Sequence, residues 1–349
     1  MPTHNPQTGT TTTGQCLIPW RDRFPHNFAG TKVFVTGAAG FIGSHLVDAL
    51  LATGAEVSAI DDLSTGNINN LAGTIDRITF REANILDPRN WAELVAGSSY
   101  VFHLAAMGSV PRSIVEPQRC MDINVRGTMN VLTAAHQAGA KRVIFSGSSS
   151  AYGMSQNASH KSEGMPPLPR SPYAASKLAG EHLMRAWSCS YGIDTAVLRY
   201  FNIFGPRQNG ASAYAAAVAA FADALGQGKS GTIYGDGRQT RDFTFVANAV
   251  EANLLAAAHK GPLEGDIFNI ATGTSPSVLE LHNSMAAAFG MPDAKPTFLA
   301  ERRGDIAWSR ADIARAREVL GYNPLVSFED GLRATVEWYK SRPRAKAAA

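Results

Sequence analysis

Cysteine is scarce in this chain. Its three cysteines, Cys16, Cys120 and Cys189, stand far apart among 349 residues, which excludes a Cys-x-x-Cys metal or redox motif. Their spacing predicts reduced thiols in a cytoplasmic protein. No apolar run approaches the length of a membrane span. The Thr- and Gly-rich start, residues 1–14, lacks the apolar core of a secretion signal and reads as an extension. An excess of charge is missing too: 32 basic against 29 acidic side chains give +3, no electrostatic footprint for nucleic acid. Several of the basic residues fall in 340–346, a solvated tail. No internal repeat is visible. What is present, 45% hydrophobic and 17% charged residues, suffices for a sizeable core in two lobes or one large α/β domain.

Short apolar runs predict strands at 31–37, 56–61, 78–81, 100–104, 142–146, 195–201 and 267–270, and helical spacing predicts helices at 44–53, 91–96, 123–138, 173–190 and 246–258. The alternation implies an α/β chain with a Rossmann-type, doubly wound parallel sheet covered on both faces. Beyond about residue 202 the rhythm changes to turn-rich stretches with helices at 213–225, 279–289, 312–320 and 328–340, a smaller C-terminal α/β lobe. The expected organisation is an extension over 1–30, whose Trp20, Phe24 and Phe28 pack back on the body. A dinucleotide-binding domain follows over 31–201 with about 246–271, and a substrate lobe over 202–245 and 272–349.

In Ser171-Pro172-Tyr173-Ala174-Ala175-Ser176-Lys177, Ser171 suits a helix N-cap and Pro172 the first helical position. Tyr173 and Lys177 then share one face, one turn apart. A free phenol keeps its proton to about pH 10. An ammonium beside it favours the phenolate, so the pair is predicted to be a general acid/base unit. The same spacing also suits an amphipathic surface pair. Gly37-x-x-Gly40-x-x-Gly43 joins the first strand to the first helix, where glycines allow a tight turn and close approach to a pyrophosphate. A ligand-free glycine turn is the plain alternative. Asp61 ends the second strand at the distance expected for an acid on a ribose diol, while Asp62 reads as a loop cap. The Asp61 charge repels a 2′-phosphate and no arginine stands beside it in sequence, so the cofactor is expected to be NAD rather than NADP.

These motifs occur in order with His103-Leu104-Ala105-Ala106, Ser148-Ser149-Ser150-Ala151-Tyr152-Gly153, Arg199-Tyr200-Phe201-Asn202 and Gly235-Asp236-Gly237-Arg238-Gln239-Thr240-Arg241-Asp242-Phe243. Together, over about residues 31–340, they resemble the extended short-chain dehydrogenase/reductase family, and within it the nucleotide-sugar epimerases. The loop Ala105 to Ser113 is similar to that of the UDP-N-acetylglucosamine 4-epimerases of polysaccharide biosynthesis. It is less similar to that of the UDP-galactose 4-epimerases, which place a lysine there.

The resemblance implies NAD-dependent C4 epimerisation of a UDP-hexose through a transient 4-keto sugar. Ser148 would hydrogen-bond the reacting hydroxyl, Tyr173 would be the base, and Lys177 its partner and a ligand of the nicotinamide ribose. NAD would be lined by Gly37, Gly40, Phe41, Ile42, Gly43, Asp61, Asn84, Ile85, Leu104, Ala105 and Ala106. Asn84 stands where the family usually has an aspartate on the adenine amino group; its amide oxygen can accept the same bond. For the substrate, Asn202, Arg241 and Arg302 match diphosphate ligands, Tyr234 an aromatic near the uracil, and Asp305 a uridine-ribose ligand. Ser109, Ser149 and Gln208 would bond the sugar, although Ser149 and Ser150 read equally as turn residues, and Arg302 and Arg303 as surface charges. Ser309 sits at a position that resembles a gate beside the sugar's 2-substituent, and a small residue there implies UDP-N-acetylglucosamine and UDP-N-acetylgalactosamine. UDP-glucose and UDP-galactose, or a uronic sugar met by Arg112 or Arg185, are the alternatives. Tyr152 is expected to pack rather than react, and His103 to be a buried, satisfied histidine. A dehydratase would carry Asp-Glu after Ser148, and a decarboxylase a glutamate at Ser150. A non-catalytic NAD-binding regulator would not need Ser148, Tyr173 and Lys177 together. Family members are commonly homodimers.

Overall fold

A computed structural model describes residues 18–153, 160–208, 217–301 and 308–342. A short helix, α1 (Trp20–Arg23), leads into strand β1 (Lys32–Thr36) and helix α2 (Phe41–Ala52). The chain continues through β2 (Glu56–Asp61), β3 (Thr79–Glu82), β4 (Tyr100–His103), helices α3 (Val110–Val115), α4 (Pro117–Met121) and α5 (Gly127–Gln137), β5 (Arg142–Ser148), α6 (Pro172–Tyr191) and β6 (Asp194–Tyr200). After β6 come β7 (Ile203–Phe204), α7 (Ala217–Gly226), β8 (Thr232–Tyr234), β9 (Thr244–Phe245), α8 (Val246–Ala258), β10 (Asp266–Ile270), α9 (Val278–Ala288), β11 (Thr297–Leu299) and α10 (Phe328–Ser341).

Seven strands form one parallel sheet in the order β10-β6-β5-β4-β1-β2-β3. Their apolar side chains are buried on both faces: Val33, Phe34 and Val35 of β1 have no exposed surface, as helices covering both sides of a parallel sheet require. The strand order reverses at β1, which lies between β2 and β4. The crevice beyond the carboxyl ends of β1 and β4 is therefore the place where such sheets bind ligands. One core cluster packs α2, α8 and the aromatic side chains of Phe24 and Phe28 on one face. A second, with Trp91, Leu132 and Met184, fills the other. A third, built around Phe204, Phe221, Leu281 and Phe328, holds the C-terminal helices. Among the described residues no helix is long and apolar enough to cross a membrane.

Several sequence expectations need correction. Residues 91–96 make no α-helix; 3-10 turns at Pro88–Asn90 and Ala92–Val95 replace it, and the Trp91 indole is spent on the Asn84 carbonyl at 3.0 Å. The helix expected from 123 is preceded by α3 and α4, each started by a proline in its first turn, and by a π-helical turn at Asp122–Arg126. The segment expected as a helix at 312–320 closes as a π-helical turn, Ala316–Leu320, stopped by left-handed Gly321.

Candidate active site

Helix α6 begins as its sequence dictates. The Ser171 hydroxyl accepts the Ala174 N–H at 3.1 Å, Pro172 fills the first turn, and the free N–H of Tyr173 donates to the Ser113 hydroxyl at 3.1 Å. At Gly180 the helix lies so close to β5 that a methyl group would meet the Phe145 ring at 2.4 Å. A bidentate pair between Arg199 and Glu181, with both side chains buried, fastens α6 to β6. Tyr173 and Lys177 are thus held on a helix clamped along its length.

Ser148 ends β5 and caps the 3-10 turn Ser149–Tyr152, accepting from the Ser150 N–H at 3.2 Å and the Ser150 hydroxyl at 2.9 Å. Its hydroxyl lines the same cleft as the Tyr173 phenol. Part of Tyr173 is exposed, but the phenol group itself is enclosed, and burial pushes its pKa above the usual value while Ser148 pulls it down. This corrects the expectation that Lys177 would lower that pKa. The Lys177 ammonium instead donates to the Ser146 carbonyl at 2.9 Å and lies 4.9 Å from the centre of the Phe145 ring. Burial lowers its own pKa to about 8. Tyr152 packs: its hydroxyl donates to Asn269 at 2.6 Å, the Arg199 guanidinium lies 4.5 Å from its ring, and burial raises it to about 12. His103 is buried with both ring nitrogens bonded, to Thr36 at 2.8 Å and Thr128 at 2.9 Å, and burial lowers its pKa to about 3.

The glycine turn is shaped by backbone contact. Gly37 takes φ +73°, and a methyl group there would meet the Ala105 nitrogen at 2.7 Å; one on Gly43 would meet the Gly37 carbonyl at 2.0 Å. Gly40 caps the 12-residue α2 without a side chain, which leaves the first-turn N–H groups of Phe41, Ile42 and Gly43 for a ligand. Asp61 accepts the Ala39 N–H at 3.0 Å and the Leu63 N–H at 2.9 Å, while burial raises its carboxyl pKa. A helix start bare of side-chain caps beside an acid at the end of β2 is the donor and acceptor set of a dinucleotide. Asp62 accepts from the Ser64 N–H and hydroxyl, as a loop cap. Asn84 donates to Asp62 at 2.9 Å, and its amide oxygen already accepts the Leu86 N–H at 2.9 Å.

The sequence-predicted residues meet in one run of cavities. A cavity of about 660 Å³ is lined by Gly37, Gly40, Asp61, Asn84, Ile85, Leu104, Ala105 and Ala106. It continues into a cleft of about 2350 Å³ lined by Phe41, Ile42, Gly43, Ser109, Ser148, Ser149, Tyr173, Lys177, Asn202, Gln208, Arg241 and Ser309. Asn202 and Arg241 are shared with a third cavity of about 900 Å³ that holds Tyr234. Arg302 and Asp305 lie outside the described residues. Two arginines do reach the Asp61 cavity, Arg112 and Arg119, but both are paired with Glu116. Arg185 does not line the cleft; it donates to the Glu264 carbonyl at 2.8 Å.

Beside Arg241, the buried Asp242 carboxylate gathers N–H groups from Thr272 at 2.9 Å, Gly273 at 3.0 Å and Ala311 at 3.2 Å, and the Thr272 hydroxyl at 2.8 Å. Burial raises its pKa to about 6. It ties the loop bearing Ser309 to the one after β10. Sequence reasoning missed Lys161, which lines the central cleft and is buried. Nothing in its local sequence marks it, because it reaches the cleft through a bridge to Ala311, 150 residues away in number. Among the described residues, no carboxylate lines that central cleft.

Residues 33–271 match the NAD dependent epimerase/dehydratase family. The chain is 41% identical to a UDP-glucose 4-epimerase of Mycolicibacterium smegmatis over 314 residues, covering 89% of this chain and 99% of that one. Among solved structures it is similar to a UDP-N-acetylglucosamine 4-epimerase from Methanobrevibacter ruminantium in complex with UDP-N-acetylmuramic acid: 38% identity, TM-score 0.84, 89% of this chain and 99% of that one. It is also similar to a Thermus thermophilus UDP-glucose 4-epimerase in complex with NAD: 33% identity, TM-score 0.80, the same coverage.

Proposed function

This chain belongs to the NAD dependent epimerase/dehydratase family, and we propose that within it the protein interconverts UDP-N-acetylglucosamine and UDP-N-acetylgalactosamine. The coarser reading, an NAD-dependent UDP-sugar 4-epimerase, stands on the family and its relatives. The choice of epimerase over dehydratase or decarboxylase is supported by one observation: the cleft around Ser148 and Tyr173 carries no carboxylate among its described residues. Elimination or decarboxylation assisted by a second acid finds no such acid among those described residues.

In this reading the first-turn N–H groups of α2 would hold the NAD pyrophosphate, Asp61 the adenosine ribose diol, and Leu104 and Ala105 would line the dinucleotide. Bound there, NAD would supply the hydride acceptor and donor for C4 of the sugar. The Tyr173 oxygen takes and gives back the proton of the 4-hydroxyl. Ser148, in the same cleft as that phenol, orients the hydroxyl. Lys177, anchored on Ser146, holds the nicotinamide ribose beside them. Asn202 and Arg241 anchor the diphosphate, with Arg302 and Asp305 assigned to the same nucleotide from sequence. Tyr234 flanks the base.

The sugar assignment rests on Ser309, which is 5% exposed and lines the same cleft as Tyr173. A serine leaves room for an acetamido group that a tyrosine ring would fill. Ser109, Ser149 and Gln208 supply polar atoms nearby; the Gln208 amide oxygen is buried without a partner. The test is kcat/KM for the acetylated, plain and uronic UDP-sugar pairs in the native protein and in Ser309→Tyr. The tyrosine should abolish acetylated activity selectively. Equal loss on all pairs, or a native preference for the plain hexose, would overturn the gate.

The same reading divides the chain into an NAD-binding domain, residues 31–201 with about 246–271, and a sugar-nucleotide lobe, 202–245 and 272–349. It also assigns a homodimer through neighbouring helices α3 to α6, whose surface exposes Ile114, Val115, Met121, Met129 and Tyr191.

A further inference from the structure

The central cleft holds a cation that the reading above does not use. Lys161 is 4% exposed and lines the cleft with Ser148, Tyr173, Arg241 and Ser309. Its backbone is pinned: the N–H donates to the Arg310 carbonyl at 2.8 Å, and its own carbonyl accepts the Asp312 N–H at 2.9 Å and the Asn269 amide at 2.8 Å. These bonds seat it against the segment that carries Ser309. Its ammonium is poorly served. Of three donors, one reaches the Gly153 carbonyl at 3.4 Å, near the outer limit for a hydrogen bond. The Tyr152 ring centre lies 5.9 Å away. Among the described residues no carboxylate pairs with it. Burial and the Arg241 charge lower its pKa to about 8. An ammonium enclosed, with spare donors and no counter-charge among the described residues, is costly unless a ligand completes it.

Gly153 closes the turn that Ser148 opens, and Ser309 stands on the other side. Lys161 therefore faces the sugar end of the cleft. We propose that Lys161 is a specificity-determining residue that donates to a carbonyl-type oxygen carried by the hexose: the amide oxygen of an acetamido group or an oxygen of a ring carboxylate. The proposal rests on the UDP-sugar 4-epimerase reading and not on which sugar is preferred.

The test compares kcat/KM of the native NAD-loaded enzyme, Lys161→Met and Lys161→Gln on UDP-N-acetylglucosamine, UDP-glucuronic acid and UDP-glucose. NAD content serves as the check on folding, and the glutamine variant carries the test if the methionine variant does not fold. In Lys161→Met the ratio of kcat/KM for a substituted sugar over UDP-glucose should fall by about tenfold to a hundredfold, the effect of one charged hydrogen bond. Lys161→Gln keeps a neutral donor. If the source is the amide, it retains most of the acetylated-over-plain ratio; if the carboxylate, it loses the uronic-over-plain ratio. An unchanged ratio for both substituted sugars, whether the rates fall together or not at all, overturns the proposal. A native enzyme that interconverts none of the three sinks the epimerase reading instead.

Discussion

Replacing Gly43 by alanine should empty the dinucleotide site. The added methyl carbon would lie 2.0 Å from the Gly37 carbonyl oxygen, 2.9 Å from the carbonyl carbon and 3.1 Å from the Ala38 α-carbon, whereas ordinary contact begins at 3.4 Å. All three are backbone atoms of the turn, so no side chain can swing aside. The start of α2 must move off the turn by more than about 1 Å. A hydrogen bond of about 2.9 Å stretched by that much is no longer one. Losing two first-turn N–H bonds to a pyrophosphate, at about 1.5–3 kcal/mol each for a charged acceptor, weakens NAD by about 10²- to 10⁴-fold. The NAD released from purified native and Gly43→Ala protein would be quantified, and NAD affinity measured by titration of the stripped protein. Gly164→Ala, where a methyl group meets nothing within 4 Å, is the control and should keep its NAD. Native affinity in Gly43→Ala would show that α2 and the turn do not form the pyrophosphate seat.

Tyr173→Phe should leave NAD content unchanged and lower turnover by about 10²- to 10⁴-fold, the usual worth of a positioned acid/base group; an epimerisation rate near native would remove Tyr173 as the base. Asp61→Asn keeps the shape of the side chain but not its charge, so the affinity ratio of NAD over NADP, measured by titration, should fall at least tenfold; an unchanged ratio would mean Asp61 does not set it. Glu251, buried against Arg23, has its pKa raised to about 7 by burial. The folded protein then binds this proton more tightly than the unfolded chain. Stability from this group is fully present below about pH 4.5 and is lost as pH rises through about 7, a span worth about 3 kcal/mol. Denaturant titrations should show that decline flattened in Glu251→Gln, and an unchanged pH profile would refute it.

The seven sheet strands were legible because each is a short run with β-branched or aromatic residues between turns, and for all but the edge strand β3, which buries no residue, packing on both faces leaves no other place for them. The central helices were legible where caps announce them, as at Ser171. Residues 91–96 were misread because their apolar side chains give the signal of a helix, whereas the segment forms the 3-10 turn Ala92–Val95 after a first one at Pro88–Asn90. Gly37, Asp61 and Ser148 could be located because they stand at or just beyond the carboxyl ends of β1, β2 and β5, where the topology gathers them, Tyr173 because Ser171 and Pro172 announce the start of its helix, and Ser309 by resemblance alone. The electrostatics could not. That Lys177 would turn to the Ser146 carbonyl and that Lys161 would enter the cleft depend on contacts between distant segments. No local pattern records these.

Helix α8 ties the fates of two cores together. Its first residues, Val246 and Ala247, pack in the cluster around Phe204 and Phe328, while Ala249, Val250, Ala252 and Leu254 pack in the cluster beneath the sheet. One rigid rod is thus a wall of both compartments, and neither can melt without exposing apolar surface in the other. The two regions behave as a single cooperative unit even though their chain segments interleave. A fragment ending before α8 would lack a wall of the sheet core, and one beginning after it would lack the floor of the C-terminal core. Neither compartment can therefore be exchanged as a module without rebuilding the wall it shares with the other.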